Sequence, residues 1–255
     1  MLEIKGLTKL FPLNRKQRET QGKDAVTAVD ALTLSVTGGE VFGLLGANGA
    51  GKTTTLRMIA TMLTPSGGSA SVGGHDILRE PDEVRRLTGL LFGGDTGLYD
   101  RLTARENIRY FARLNDIGDA ESNRRIQTLA EAFRFTEYLD RAAGKLSKGN
   151  RQKISFARAI IHDPALMLFD EPVLGLDVTA RKEAEDFILR CRDEGKTIVL
   201  SDHNLPVVER LCTRIGILSA GKLMAAGTKE ELCASHGCET LEGVFFKLAG
   251  EEGAQ

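Results

Sequence analysis

The strongest constraint in this sequence is a glycine-rich loop that lies between an apolar strand and an amphipathic helix. Val41–Leu45 is apolar throughout, which predicts a strand buried on both faces. It runs into Gly46-Ala47-Asn48-Gly49-Ala50-Gly51-Lys52-Thr53, after which Leu56, Ile59, Ala60 and Leu63 recur at helical spacing. Strand, loop and helix in this order are the P-loop in its required context. The motif by itself predicts that the chain binds a nucleoside triphosphate.

Each residue type in this loop has a physical reason to be there. Glycines let successive backbone amides turn toward one concavity, and the following helix adds the partial positive charge of its N-terminus. Lys52 can reach the β- and γ-phosphates, and the Thr53 hydroxyl is placed to ligate Mg²⁺. The candidate nucleotide-binding residues of the loop are Gly46, Ala47, Asn48, Gly49, Ala50, Gly51, Lys52, Thr53 and Thr54.

A second group of candidates ends the apolar run at residues 165–169, where Asp170, Glu171 and Pro172 follow. A parallel strand delivers its last residues to the carboxyl edge of the sheet, where phosphates bind. Asp170 can hold Mg²⁺ there, directly or through water. Glu171 is predicted to point to the other side and to orient or deprotonate a water that attacks the γ-phosphate. The alternative is a strand that ends in two surface acids, and the P-loop disfavours it.

A third candidate stretch is Leu146-Ser147-Lys148-Gly149-Asn150-Arg151-Gln152-Lys153, which opens a predicted helix. Ser147 is expected to cap that helix, and one interpretation stops there, since serine followed by glycine is common at helix starts. The other interpretation is a second anion-binding helix N-terminus, which has amides and a hydroxyl suited to the γ-phosphate of another molecule.

The remaining pattern predicts an α/β fold with a mostly parallel sheet. Two capping boxes, Thr103 to Glu106 and Thr228 to Glu231, predict helix starts. Strands in which apolar residues do not alternate with polar ones need burial on both faces, which is typical of parallel sheets. The predicted strands are residues 2–4, 31–36, 41–45, 69–72, 165–169, 197–200 and 215–218, with a mostly helical segment at 103–139 and a helix at 181–192.

Composition excludes several classes of function. The 255 residues carry 34 Lys and Arg against 35 Asp and Glu, so no whole-molecule field favours nucleic acid, and no nucleic-acid partner is expected. The N-terminus lacks the pattern of a secretory signal, and no run of about 18 apolar residues occurs. The sequence therefore predicts a cytoplasmic protein that cannot cross a bilayer by itself.

The four cysteines are expected to be reduced thiols, because nothing indicates a secretory context. Cys233, His236 and Cys238 lie close enough in sequence to suggest a metal cluster. A structural zinc site needs a fourth ligand and a recognised spacing, and the sequence supplies neither.

Together these elements resemble the ABC (ATP-binding cassette) ATPase family over nearly the whole chain. The family's Leu-Ser-x-Gly-x-x-Gln signature is matched by Leu146, Ser147, Gly149 and Gln152. The resemblance implies a RecA-like P-loop NTPase core with a mostly parallel sheet, an N-terminal antiparallel β part and an inserted helical subdomain at about residues 96–146. All of these would form one ATP-binding domain of residues 1–255.

The resemblance also assigns roles outside the three motifs. Gly175-Leu176-Asp177 looks like the family's D-loop, with Asp177 as its candidate residue. His203 looks like the switch histidine that contacts the γ-phosphate, and Phe11 falls where the family has an aromatic residue that stacks on adenine. The implied catalytic residues are Glu171, His203 and Lys52, and the implied Mg²⁺ ligands are Thr53 and Asp170.

The family mechanism requires partners. Two ATP-binding subunits meet head to tail, here expected as a homodimer, and each ATP lies between the P-loop of one and the signature loop of the other. Ser147, Gly149 and Gln152 would then face the partner's nucleotide. A separate membrane-spanning permease subunit would use the closing and opening of the pair. The resemblance places the protein at the cytoplasmic face of the cell membrane as a peripheral subunit.

Two departures from the family pattern bear on these roles. The family usually has a glutamine before the helical insert, whereas residues 91–99 read Leu-Phe-Gly-Gly-Asp-Thr-Gly-Leu-Tyr. Either Asp95 substitutes or the contact is absent. Phe11 is followed by Pro12 and a long polar loop to about Asp24. The stretch at 93–107 is similar to the ATP-binding subunits of bacterial sodium-efflux ABC pumps, which implies an exporter with Na⁺ as a candidate cargo.

Three functions remain compatible with the sequence. The first is the ATPase of an exporter, and the second is a soluble ABC ATPase that serves DNA repair, translation or iron–sulfur assembly. The charge balance and the absence of long heptads disfavour the second. The third is a nucleotide-gated module that hydrolyses ATP poorly, which Glu171 and His203 disfavour.

Overall fold

A computed structural model describes residues 1–92 and 97–250. Its strands are β1 (Leu2–Pro12), β2 (Ala25–Val36), β3 (Val41–Leu45), β4 (Gly67–Val72), β5 (His75–Asp76), β6 (Thr88–Phe92), β7 (Leu166–Asp170), β8 (Thr197–Asp202), β9 (Arg214–Ser219) and β10 (Lys222–Gly227). Its helices are α1 (Arg15–Gln21), α2 (Lys52–Ile59), α3 (Pro81–Leu87), α4 (Ala104–Leu114), α5 (Asp119–Ala132), α6 (Lys148–Ile160), α7 (Val178–Asp193), α8 (Leu205–Leu211), α9 (Lys229–His236) and α10 (Leu241–Gly250).

The strands form two sheets, as the predicted α/β architecture requires. An antiparallel sheet has the order β2-β1-β4-β5, and a six-stranded sheet has the order β10-β9-β3-β8-β7-β6. In the larger sheet every neighbouring pair is parallel except β9 and β10. The P-loop strand β3 lies between β8 and β9. The carboxyl ends of β3, β7 and β8 therefore meet at one edge of the sheet.

The larger sheet is buried on both faces, which explains its unbroken apolar strands. Met167 and Phe169 of β7 pack on one side with the helices α4 to α7. Leu166 and Leu168 of the same strand pack on the other side with α2 and the antiparallel sheet. Successive side chains of a strand point to opposite faces, so both registers must be apolar.

The predicted helix starts are confirmed, and one predicted loop is wrong. Thr103 and Thr228 each form a capping box, and Ser147 accepts a hydrogen bond from the Asn150 amide at the start of α6. The polar stretch after Pro12 is not all loop, because α1 occupies part of it. Leu13 is buried beneath this excursion, and its carbonyl accepts from the Arg18 guanidinium at 2.7 Å.

Candidate functional site

At two positions of the loop between β3 and α2 only glycine fits, because there is no space for a side chain. A Cβ atom on Gly46 would lie 2.6 Å from the Leu218 carbonyl oxygen, and one on Gly51 would lie 2.5 Å from that of Ala28. Gly51 also has a φ of +101°, in the left-handed region that other residues rarely adopt. Gly49 has a φ of +84° but open space around it. The loop can therefore bend tightly and expose its amides only with these residues.

The Lys52 side chain bends back over the loop that precedes it. Its Nζ donates to the carbonyl oxygens of Gly46 at 2.7 Å and Ala47 at 3.0 Å, and the residue is buried. An ammonium group has three donors, so one remains for a phosphate oxygen. Burial lowers the pKa of Lys52, while the carboxylates of Glu171, Asp170 and Asp202 act in the opposite direction. A bound triphosphate would add negative charge next to this amine.

A hydroxyl and a carboxylate from distant parts of the sequence meet beside Lys52. Thr53 Oγ1 donates to Asp170 Oδ1 at 3.0 Å and Oδ2 at 2.8 Å. The buried Ser201 hydroxyl also donates to Asp170 Oδ1. Hard oxygen donors of this kind suit Mg²⁺, which is usually held by one or two protein ligands together with water and substrate phosphates. The predicted ligands Thr53 and Asp170 thus fit the ion chemically.

Glu171 leaves the end of β7 in a strained conformation. Its φ is +47°, and its amide donates to the Ser201 carbonyl oxygen at 3.0 Å. Its Oε1 lies 2.8 Å from His203 Nδ1. Positive φ at a residue other than glycine costs about 1–3 kcal/mol and is found preferentially at functional sites. The predicted base and the predicted switch histidine are therefore in direct contact.

Most of the predicted phosphate-binding and Mg²⁺-binding residues line one depression of about 260 Å³, whereas Gly46, Ala47, Ala50 and His203 are not part of its lining. It lies over the N-terminus of α2, where a triphosphate would meet both the amides and the Lys52 ammonium. Ala28 of β2 belongs to its wall, which the sequence interpretation missed. Its lining residues are Ala28, Asn48, Gly49, Gly51, Lys52, Thr53, Thr54, Asp170 and Glu171.

Phe11 lies outside this lining. It is on β1, pairs with Val26 of β2 and is 40% exposed. The Lys9 ammonium lies 5.3 Å from the centroid of its ring. Phe11 is thus on the strand next to Ala28, with part of its ring open to solvent, and its adenine-stacking role stays a prediction.

The predicted signature residues fall into two groups. Ser147 is exposed at the N-terminus of α6, and Gly149 lies close to α7, because a Cβ on it would be 3.1 Å from that of Ala180. Neither lines the depression of its own chain. Gln152 differs from the expectation, because it is buried and its Nε2 donates to the Pro172 carbonyl oxygen at 2.9 Å. In this structure Gln152 ties α6 to the segment after β7 and does not face outward.

Asp177, the candidate D-loop residue, has a local structural role. Its Oδ1 accepts from the Ala180 amide at 2.9 Å and so caps α7. The residue is exposed and is absent from the lining of the depression. Asp95, the candidate substitute for the missing glutamine, lies outside the described residues.

The alternative metal cluster near the C-terminus finds no support within residues 1–92 and 97–250, where no group of three or more His, Cys, Asp or Glu side chains could hold an ion. His236 Nδ1 instead lies 2.9 Å from the Leu232 carbonyl oxygen of its own helix. All four cysteines are free thiols. In the same part of the chain, no helix has the length and apolar character needed to span a membrane.

Two functional candidates escaped the sequence interpretation. Ser201 and Asp202 end β8 beside Asp170, which ends β7, and Glu171, which follows it. A polar pair at the end of an apolar strand was the signal that identified Asp170 and Glu171, and the same signal is present here. The strand order needed to connect the two pairs comes only from the structure.

Comparison with known proteins supports the resemblance. A family model described as ABC transporter matches residues 29–174. The ABC transporter ATP-binding protein NatA of Bacillus subtilis is 45% identical over 224 residues, which cover 88% of this chain and 91% of that protein. The daunorubicin/doxorubicin resistance ATP-binding protein DrrA of Streptomyces peucetius is 37% identical over 243 residues, covering 94% of this chain and 69% of that protein.

Solved structures agree with these relatives. One described as the ATP-binding subunit of an ABC transporter aligns with a TM-score of 0.84 and 30% identity, covering 97% of this chain and 99% of that one. The dimeric post-hydrolysis structure of the ATP-binding cassette MJ0796 with ADP and Pi aligns with a TM-score of 0.79 over 89% of this chain and 98% of that one. At 23% identity the second likeness concerns the fold alone. The predicted fold class is confirmed.

Proposed function

Because the chain belongs to the ABC transporter family of ATP-binding proteins, we propose that it is the ATP-hydrolysing subunit of an exporter whose membrane-spanning part is a separate polypeptide. The observation that carries the hydrolytic role is the contact of Glu171 with His203 at the depression that holds Lys52, Thr53 and Asp170. A site built only to bind MgATP has no need of a second carboxylate in addition to the proposed Mg²⁺ ligand Asp170.

The chemistry divides among the residues as follows. Lys52 and the amides of the loop hold the β- and γ-phosphates, and this neutralises charge as it develops on the transferred group. Glu171 orients a water molecule for in-line attack on the γ-phosphorus and accepts its proton. His203 contacts the Glu171 carboxylate through Nδ1, which leaves Nε2 to face the γ-phosphate. The products are ADP and inorganic phosphate.

Mg²⁺ is the proposed cofactor, with Thr53 and Asp170 as its protein ligands. Held by these two residues, the ion would supply positive charge that offsets the negative charge of the phosphates. The Ser201 hydroxyl, which donates to Asp170 Oδ1, fixes the orientation of that carboxylate. The Thr53 hydroxyl donates to the same carboxylate, so the two ligands are adjacent.

The proposed working unit is a head-to-tail homodimer. Ser147 and the amides at the start of α6 would bind the γ-phosphate held by the partner's loop, since they lie outside the depression of their own chain. Asp177 and Gly149 belong to the same region. Gln152 is buried, and it holds the segment after β7 in place through its hydrogen bond to the Pro172 carbonyl oxygen. ATP then favours the closed pair, and hydrolysis removes that preference.

The exporter assignment rests on the relatives. DrrA is described as a daunorubicin/doxorubicin resistance ATP-binding protein. Na⁺ is a candidate cargo because the sequence at 93–107 is similar to that of sodium-efflux ABC pumps. The proposed location is the cytoplasmic face of the cell membrane, where the subunit would attach to its permease. Cargo identity resides in that permease, because transport energy and transport path belong to different chains.

The test has two stages. Purified protein is first assayed for phosphate release from MgATP, and hydrolysis excludes the nucleotide-gated module that hydrolyses poorly. The protein is then co-expressed with the product of a neighbouring reading frame that has several apolar stretches of about 20 residues. Co-purification and ATP-dependent ²²Na⁺ flux in vesicles would support a sodium exporter. If the protein hydrolyses MgATP but co-purifies with no membrane protein, the soluble ABC ATPase is favoured instead.

A further inference from the structure

Asp202 is a buried carboxylate beside the proposed catalytic pair. It is the last residue of β8 and only 3% exposed. Its Oδ1 accepts two hydrogen bonds from the backbone amides of His203 and Asn204, each at 2.8 Å. A carboxylate that accepts from the next two amides forms an Asx-type turn, which fixes the direction in which the chain leaves the strand.

The turn matters because few side-chain contacts hold the His203 ring. The His203 side chain is 44% exposed, so packing leaves it considerable freedom. Its contacts are the 2.8 Å bond to Glu171 and the proximity of Asp202 Oδ1, which lies 3.9 Å from Nδ1. The backbone turn that Asp202 holds therefore acts together with the strand register and the Glu171 bond in placing His203.

Asp202 also contributes charge to the site without touching the depression. It acts on Lys52 together with Asp170 and Glu171, and it is absent from the lining residues. Burial raises the pKa of Asp202, whereas the two amide bonds and the neighbouring His203 act in the opposite direction. Burial of this carboxylate is energetically unfavourable, and the hydrogen bonds from the two backbone amides offset only part of that cost.

We propose that Asp202 is a positioning residue for ATP hydrolysis, whose carboxylate holds the turn after β8 so that His203 faces Glu171 and the γ-phosphate. This inference rests on the proposed hydrolytic function. Asp202 acts through His203, and it neither contacts the nucleotide nor transfers a proton. It needs an acceptor oxygen rather than a negative charge to perform this role.

The experiment compares two substitutions with a matched control. Asp202→Ala removes the acceptor, whereas Asp202→Asn keeps an oxygen for both amides. Asp76 Oδ1 also accepts from two backbone amides, those of Leu78 and Arg79, at 2.8 and 3.0 Å, although these lie two and three residues ahead, and Asp76 lies in the antiparallel sheet. Asp76→Ala therefore removes a comparable carboxylate-held turn away from the site. If Asp202→Ala fails to melt cooperatively, Asp202→Leu is used, since it keeps side-chain volume without an acceptor.

The expected result is a loss of kcat with little change in nucleotide affinity. Asp202→Ala should lower kcat on the order of 10-fold, because a misplaced catalytic group costs rate rather than binding. The KM for MgATP should stay within about two-fold, since an interaction made mainly in the transition state affects kcat. Asp202→Asn should restore most of kcat, and Asp76→Ala should match the wild type.

A double-mutant cycle with His203→Ala separates positioning from general stability. In the His203→Ala background, Asp202→Ala should lower kcat no further, because its target is gone. An equal further loss in that background would overturn the inference, as would wild-type kcat in Asp202→Ala itself. Absence of hydrolysis by the wild-type protein would instead overturn the proposed function, so the two failures are distinguishable.

Discussion

His203 Nδ1 lies 2.8 Å from Glu171 Oε1, and the register of two neighbouring strands explains why. β7 and β8 are parallel and pair Asp170 with Ser201, so the residues that follow each strand leave the sheet side by side. Glu171 turns at positive φ while its amide donates to the Ser201 carbonyl, which aims its side chain toward the end of β8. The paired strands thus hold the two catalytic candidates together.

The first prediction concerns Glu171. Glu171→Gln should lower the rate of MgATP hydrolysis on the order of 10²-fold or more, because the amide cannot accept the proton of the attacking water. Phosphate release under saturating MgATP measures this. The same variant should elute at twice the monomer mass on a sizing column when ATP is present, since the closed pair persists.

Glu239→Gln serves as the control, because Glu239 is an exposed glutamate that does not line the depression. It should hydrolyse MgATP like the wild type. Unchanged turnover in Glu171→Gln would remove Glu171 from its proposed role.

The second prediction concerns nucleotide affinity. Lys52→Ala should weaken MgATP binding by about 10- to 10²-fold, because a hydrogen bond from a charged donor contributes about 1.5–3 kcal/mol. Lys52→Arg should not restore it, since the larger guanidinium does not fit between the carbonyls of Gly46 and Ala47. Isothermal titration calorimetry measures both. Wild-type affinity in Lys52→Arg would argue against an enclosed amine site.

The third prediction concerns Ser201, whose hydroxyl donates a hydrogen bond to the Asp170 carboxylate. Ser201→Ala should raise the Mg²⁺ concentration for half-maximal hydrolysis by about 10-fold or more, as is typical when a partner of a metal ligand is lost. ATP binding in EDTA should be unchanged. Ser69→Ala, an exposed serine of β4, is the control. An unchanged Mg²⁺ requirement would mean that Ser201 does not orient the ligand.

The fourth prediction separates two causes for glycine in the loop. Gly49→Ala introduces backbone strain alone, which costs about 1–2 kcal/mol at positive φ. Gly51→Ala adds a clash with the Ala28 carbonyl oxygen and should destabilise the protein more. Each kcal/mol lowers Tm by about 2–4 °C in a chain of this size. Thermal unfolding of the nucleotide-free proteins tests the order, and equal Tm values would contradict it.

The fifth prediction concerns thiol reactivity. Burial raises the pKa of Cys191 to about 12 and also raises the pKa of Cys212, whose Sγ packs against Gly43 of β3. At pH 8 a thiol with that pKa is thiolate in about one molecule in 10⁴. Two of the four cysteines, Cys233 and Cys238, should therefore react rapidly with Ellman's reagent in the native protein.

The remaining two thiols should react only after unfolding in guanidinium chloride. The double variant Cys233→Ser, Cys238→Ser is the control and should lose the rapid phase. Rapid labelling of three or four thiols in the wild type would show that the cores around α7 and β3 open readily.

The sequence determined the elements that local patterns encode. The P-loop, the acidic end of β7 and the caps at Thr103, Ser147 and Thr228 were all readable. The reason is that each depends on residues within a few positions of one another. Unbroken apolar strands also fixed the parallel sheet, because burial on both faces leaves no polar register. The resemblance to the ABC ATPase family also assigned roles to Asp177 and His203, which follow the other motifs in the order that the family has them.

Tertiary structure decided which of these elements meet. Thr53 and Asp170 are 117 residues apart and form a hydrogen bond only because α2 packs against β7. The inward direction of Gln152 depends on how α6 packs beside the segment after β7. The supporting roles of Ser201 and Asp202 depend on the order of β8 and β7 in the sheet. The hydrophobic periodicity of a sequence indicates whether a residue is buried, but it does not identify the residues against which it packs. Contacts between distant segments therefore had to come from the packed fold.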